Sequence, residues 1–242
     1  MGCQVFTNSG DLSMHIEPGL VEPTKMAIGY VTATGVVTLA LHGIFREVMA
    51  GNLLRLVIGS VVTFLAMILS FEVLPHPSIG VSEVHLIMGA SLFLLFGATP
   101  VATGMAVGLL LQGLFFEPAD LAQYGMNVTT LLASLYATAL VANRFVSAQT
   151  RYVDIPYAQV VRLSVYFQGS VVAWVAFWVV LGQGATVATL QSLANFGVAY
   201  APIIGAEVLI SLILLSLLRS AKGDGVWRIL NPRLFGSSAA QA

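Results

Sequence analysis

The chain has 242 residues, of which 57% are hydrophobic and only 9% charged. Soluble domains carry about 25% charged residues, so this composition cannot cover a water-facing surface and points to an all-α protein that crosses a membrane several times. A net charge of −1 gives no reason to expect a nucleic acid, and one cysteine, Cys3, excludes an internal disulfide and any cysteine-built metal cluster.

Residues 1–20 lack a basic start followed by an apolar core, so no cleaved signal peptide is expected. Position 6 is Phe, which excludes the myristoylation pattern. Seven segments approach the roughly 20 apolar residues that a spanning helix needs. They run from about Met26 to Phe45, Leu53 to Leu74, Glu83 to Phe96, Pro100 to Phe116, Ala122 to Val141, Ala158 to Leu181 and Leu193 to Leu218. Pro75-His76-Pro77 ends the second and Gly182-Gln183-Gly184 the sixth. The third and fourth are short, joined by Gly97-Ala98-Thr99, and are also compatible with a broken or re-entrant pair. Pro202 should kink the seventh. Between Arg151 and Arg162, Tyr152 and Tyr157 suit the headgroup zone, and Trp174 and Trp178 read as lipid-facing or interfacial. Residues 1–13 read as a leader, 14–222 as one membrane domain and 223–242 as a cytoplasmic tail too short to fold alone.

Basic residues favour the cytoplasmic side. Arg46, Arg55, Arg144, Arg151, Arg162, Arg219, Lys222, Arg228 and Arg233 follow odd-numbered spans or open the next, whereas the connections after spans two, four and six hold no Lys or Arg. Seven spans with the N-terminus outside therefore put every arginine inside, with Lys25 the one basic exception.

This topology places His15, His76 and His85 on the outer side and His42 near the inner end of the first span. Ser82 reads as the N-cap of the third helix, which would put His85 in its first turn. Gln112, Gln123 and Asn127 fall at the same depth, and polar side chains there are costly unless they face the interior. Imidazole suits Ni, Cu, Zn and Co, and an amide can hold the second ring nitrogen. Glu72 reads as a cap of the second span. Glu207, mid-span in the seventh segment, pairs either with Arg162 or with backbone. No Walker loop, G-x-S-x-G or H-E-x-x-H is present, so no catalytic group is visible. Two other classes stay open. One is a secondary transporter for a small solute, with Glu207 and Gln168 as its site. The other is a haem-binding anchor subunit, which needs two histidines at matching depth.

Met14-His15-Ile16-Glu17-Pro18-Gly19-Leu20 resembles the Met-His-Ile-Pro-Asp-Gly-Leu start of the CbiM/NikM family. These are substrate-capturing membrane subunits of energy-coupling factor transporters for cobalt and nickel. The resemblance continues in Gly80-Val81-Ser82-Glu83-Val84-His85-Leu86, in Gln112-Gly113-Leu114-Phe115-Phe116 and in Gly125-Met126-Asn127. It implies Co(2+) or Ni(2+) as transported substrate, held by planar nitrogens. The amine of Met14, the amide and imidazole of His15, and the imidazole of His85 would supply them, with Gln112, Asn127 and Glu83 as outer support. It also implies a transmembrane coupling (T) subunit, cytoplasmic ATPase (A) subunits, in some cases a small accessory membrane subunit, and the bacterial cytoplasmic (inner) membrane. Gly29-x-x-x-Ala33 offers a partner a surface for close helix packing. Two departures stand out. Thirteen residues precede Met14, so the family ligand set requires translation from Met14, removal of the leader, or a substitute ligand such as His76 or Glu17. Thr130 stands where the family often has a second asparagine.

Overall fold

The apolar runs fold as helices in the computed structural model, which describes residues 21–220 and 229–236. Met14, His15 and Glu17 lie outside the described residues, as do residues 1–13 and most of the tail. In chain order the elements are α1 (Pro23–Met49), α2 (Leu53–Ile68), a π-helical turn (Leu69–Val73), β1 (Ser78–Ile79) and β2 (Ser82–Glu83). They continue with α3 (Gly89–Phe96), α4 (Ala98–Phe115), a 3-10 turn (Pro118–Gln123) and α5 (Tyr124–Phe145). A second 3-10 turn (Tyr152–Asp154), α6 (Tyr157–Gln183), α7 (Val187–Ser220) and α8 (Pro232–Phe235) complete the order. Six of these helices are long and apolar enough to cross a membrane. The protein is an all-α, multi-pass membrane protein. Helix α7 runs through Pro202 and begins six residues before the expected start at Leu193.

Helix contacts fix how the chain runs. Gly59 lies against Pro100, Gly104 against Thr63 and Gly108 against Met67, so α2 and α4 are parallel neighbours. Parallel neighbours need an intervening return, and residues 85–96 supply it. His85 stands beside Phe71 at the end of α2, while Phe96 lies beside Gly59 near its start. In the same way, Gly29 meets Met126 and Thr32 bonds Thr129, so α1 and α5 run parallel. The described chain thus begins at one end of the bundle and reaches the other with Ser220. Lys25 lies at the first end, where it donates to the carbonyl of Gly182.

Small residues set these approaches. A Cβ on Gly104 would lie 2.5 Å from the Ser60 carbonyl oxygen and 2.5 Å from Thr63 Cβ. Gly104→Ala is therefore expected to push α2 and α4 apart and cost about 1–3 kcal/mol, the usual penalty of overpacking. Denaturant unfolding in detergent would read this, and a midpoint equal to wild type would refute it. Gly29 and Ala33 are both buried, with Gly29 against α5. The close-packing surface read at these positions exists, but a helix of the same chain fills it.

The third segment departs from expectation. A helix from about Glu83, capped by Ser82, does not form. Ser82 and Glu83 instead pair with Ile79 and Ser78 in a two-stranded hairpin, residues 84–88 run without helix or strand, and α3 starts at Gly89. Gly80 makes the turn with φ 67°, a conformation open to glycine, and Val81 N–H closes it on the Ile79 carbonyl. Non-helical backbone at membrane depth survives only where protein satisfies its polar groups. Here Ser70 Oγ donates to the Leu86 carbonyl at 2.6 Å, and Gln168 Nε2 donates to the Ile87 carbonyl at 2.6 Å. Ala90 N–H donates to Glu207 Oε1 at 2.7 Å. Gly89 admits the ring of Phe167, since a Cβ there would fall 2.1 Å from Cζ.

Arginines hold the far end of the bundle. Arg233 Nη2 donates to the carbonyls of Val146 and Ser147, and its guanidinium lies 4.7 Å over the Tyr152 ring. Asn231 N–H donates to the Leu95 carbonyl at 2.6 Å, which anchors α8 under the C-terminus of α3. Tyr152 is buried, because Arg233 covers it; Tyr157 is exposed. Trp178 is a correction. It is fully buried, and its Nε1–H donates to Thr130 Oγ1 at 3.0 Å, which gives the indole a partner inside the bundle.

Candidate functional site

At the end of the bundle holding the hairpin, a cavity of about 40 Å³ opens between the 82–87 stretch and helices α4, α5, α6 and α7. This is room for an ion or a water or two rather than for an organic solute. Its polar lining comes from Ser82, Glu83, His85, Asn127, Thr130 and Tyr200, and its apolar wall includes Phe71, Leu131 and Phe196.

His85 is the centre of this lining. It is 4% exposed, and its Nε2 stands 3.4 Å from Glu83 Oε2. β2 ends at Glu83, and the non-helical chain beyond it brings position 85 back beside position 83. This path of the chain therefore delivers carboxylate and imidazole together, which a helix at this spacing would not. Phe71 stands edge-on to the imidazole with ring centres 4.5 Å apart. It comes from the π-helical turn, a feature often found beside functional sites. His76 stacks on His85 at 5.6 Å with planes 23° apart. The Nδ1 of His76 lies 2.7 Å from the Leu74 carbonyl, which makes that nitrogen the N–H donor.

The residues expected from the sequence divide clearly. Glu83, His85 and Asn127 line one cavity, and His76 stands behind it. Gln112 is buried but does not line the cavity, and its Nε2 has no hydrogen-bond partner among the described residues. Gln123 is likewise buried and outside it. His42 is exposed on α1, which closes at the far end of the bundle, so it makes no facing pair with His85. Glu207 bonds backbone rather than Arg162, which is exposed. Gln168 bonds the Ile87 carbonyl, and neither it nor Glu207 lines the cavity. Phe71 and Tyr200 were not expected; no sequence spacing marks them. Among the described residues, no three His, Cys, Asp or Glu side chains come together as a metal-binding group.

The chain enters beside this site. Val21, the first described residue, is buried with Met126 and Trp178. Met126 precedes Asn127, and Trp178 bonds Thr130, so Val21 packs behind two polar residues of the cavity.

A family model described as the cobalt uptake substrate-specific transmembrane region, CbiM, matches residues 15–224. The chain belongs to the CbiM family. It is accordingly a membrane component of cobalt uptake. Neither a curated protein nor a solved structure matches the chain. The CbiM match spans every helix from α1 to α7 and the hairpin, so the whole bundle around the cavity is family territory.

Proposed function

We propose that this CbiM chain captures Co(2+) or Ni(2+) as cargo at the His85 end of the bundle and hands it to an ATP-driven uptake machine. The ligands are the amine of Met14, the amide and imidazole of His15, and the imidazole of His85. The observation that carries this reading is the buried Glu83–His85 pair on an ion-sized cavity, with Val21 packed behind the same wall. Six residues of chain from His15 to Val21 reach about 20 Å, enough to return His15 to the cavity. Fused chelate rings of amine, amide and imidazole favour square-planar nitrogen coordination, which suits Ni(II) and low-spin Co(II) over Mg and Ca. Glu83 holds the His85 ring in orientation, and Asn127 completes the polar wall. Protonated imidazole cannot ligate, so capture weakens as the pH falls.

The basic end of the bundle faces the cytoplasm on this reading, with seven crossings and His85 outside. Energy comes from partners: a transmembrane coupling subunit and cytoplasmic ATPases, with or without a small accessory membrane subunit, in the bacterial inner membrane. The family match opens at His15, one residue after Met14, which supports Met14 as the first residue of the working protein. Should residues 1–13 persist, His76 or Glu17 takes the place of the amine.

Calorimetric titration of Ni(II) and Co(II) into two versions of the protein tests this, one starting at Met1 and one at Met14. The Met14 version should bind one ion tightly, and its His15→Ala variant should not. A Met14 version that binds no ion, or whose His15→Ala variant binds as tightly, would remove the ligand assignment.

A further inference from the structure

His85 sits on non-helical backbone, so something outside the site must hold it in place. Ile87 N–H bonds the His85 carbonyl at 3.1 Å, and the Ile87 carbonyl in turn accepts Gln168 Nε2–H at 2.6 Å. The amide oxygen of Gln168 accepts Tyr200 O–H at 2.7 Å. Tyr200 lines the same cavity as His85. Gln168, on α6, is fully buried, and Tyr200, on α7, is 2% exposed. A continuous chain of hydrogen bonds therefore runs from the cavity wall through α7 and α6 to the backbone that carries the imidazole. An amide donor and acceptor are both needed at position 168, because one end meets a carbonyl and the other a hydroxyl. In a low-dielectric interior such linked bonds reinforce one another, and losing one strands the next.

We propose that Gln168 and Tyr200 are positioning residues that set the His85 imidazole for metal capture. The inference rests on the metal-capture reading above. Ligand geometry is the property at stake: a displaced imidazole weakens the ion's field and its affinity together. Outer partners of metal-bound histidines typically contribute 10–100-fold in affinity.

The test uses the Met14-start protein in detergent with Co(II) as probe. Affinity, the visible ligand-field spectrum and the metal-free unfolding midpoint are measured for wild type, Tyr200→Phe, Gln168→Leu and Gln168→Glu. Tyr200→Phe keeps the ring and removes only the hydroxyl; Gln168→Glu keeps the acceptor for Tyr200 and loses the donor to Ile87. Each should bind Co(II) about tenfold or more weakly with shifted ligand-field bands. Tyr200→Phe placed on His85→Ala should add no further loss. Wild-type affinity and spectrum in Tyr200→Phe and both Gln168 variants would overturn the proposal, even if their unfolding midpoints fall. A His85→Ala protein that binds as wild type would remove the metal reading itself, and this inference with it.

Discussion

His85→Ala should lower Ni(II) or Co(II) affinity by more than about 100-fold, beyond what loss of an outer partner of a metal-bound histidine costs. The imidazole is buried on the cavity beside Glu83, and no other described histidine can replace it. His76 is the nearest candidate, yet it does not line the cavity, and its Nδ1 is turned onto the Leu74 carbonyl. His76→Ala should therefore change affinity by no more than a few-fold. Glu83→Gln falls between, at about tenfold, because the ring loses its carboxylate but not the anchored backbone that carries it. The metal-free fold should tolerate His85→Ala. The flanking backbone is held from outside, by Ser70 at Leu86 and by Gln168 at Ile87. Calorimetry on the three variants, with unfolding of the metal-free proteins alongside, makes the comparison. Equal losses in His76→Ala and His85→Ala would show that the two stacked rings act as one unit and that His85 has no ligand role of its own.

The bundle was legible in the sequence because hydropathy marks the long apolar helices without reference to contacts. The third segment was not. Leu86 to Phe96 is apolar but for Ser91, and an apolar run reads the same whether it is helical or extended. What decides its conformation lies far along the chain. Ser70 is 16 residues from its partner Leu86, Gln168 is 81 from Ile87 and Glu207 is 117 from Ala90. The site shows the same division. His85 and Asn127 could be grouped by depth and Glu83 came only with the family resemblance; the structure brings the three together. Gln112 shares their depth but not their direction, since depth on a helix says nothing about which face meets the cavity. Trp178 was read as interfacial because an indole suits a membrane surface as well as a core. Only the hydroxyl of Thr130 within reach distinguishes the two. Tyr200 gave no signal at all, because its value depends on Gln168, 32 residues away on another helix.

Glu207→Ala should release the start of α3. Helix α3 has eight residues, too few to hold by itself. Its first N–H groups have no partner within the helix, and negative charge or an acceptor there is favourable. Glu207 supplies that acceptor at 2.7 Å from Ala90 N, with Ser91 N–H and the Gln168 side chain also beside it. Below this contact Ser91, Ser164 and Ser211 are joined by buried hydroxyl bonds of 2.7 and 3.0 Å, so α3, α6 and α7 share one polar seam. Alanine at 207 strands a buried N–H and leaves a void the seam cannot fill. The first loss is worth about 1–3 kcal/mol and the void adds to it, so roughly 3 kcal/mol is expected in all. That is large against a typical stability of about 5–15 kcal/mol. Glu207→Gln retains an acceptor and should lose about 1 kcal/mol or less. Amide exchange localises the effect. Ala90 and Ser91 should exchange at least tenfold faster in Glu207→Ala, while amides in the middle of α5 change only as far as global stability does. Unchanged protection at Ala90 would mean that the neighbouring seam, and not Glu207, holds α3. Opening at this point moves Ile87 and with it the non-helical stretch that bears His85. Metal affinity in Glu207→Ala should therefore fall together with Ala90 protection, and tight capture with an unprotected Ala90 would uncouple the two.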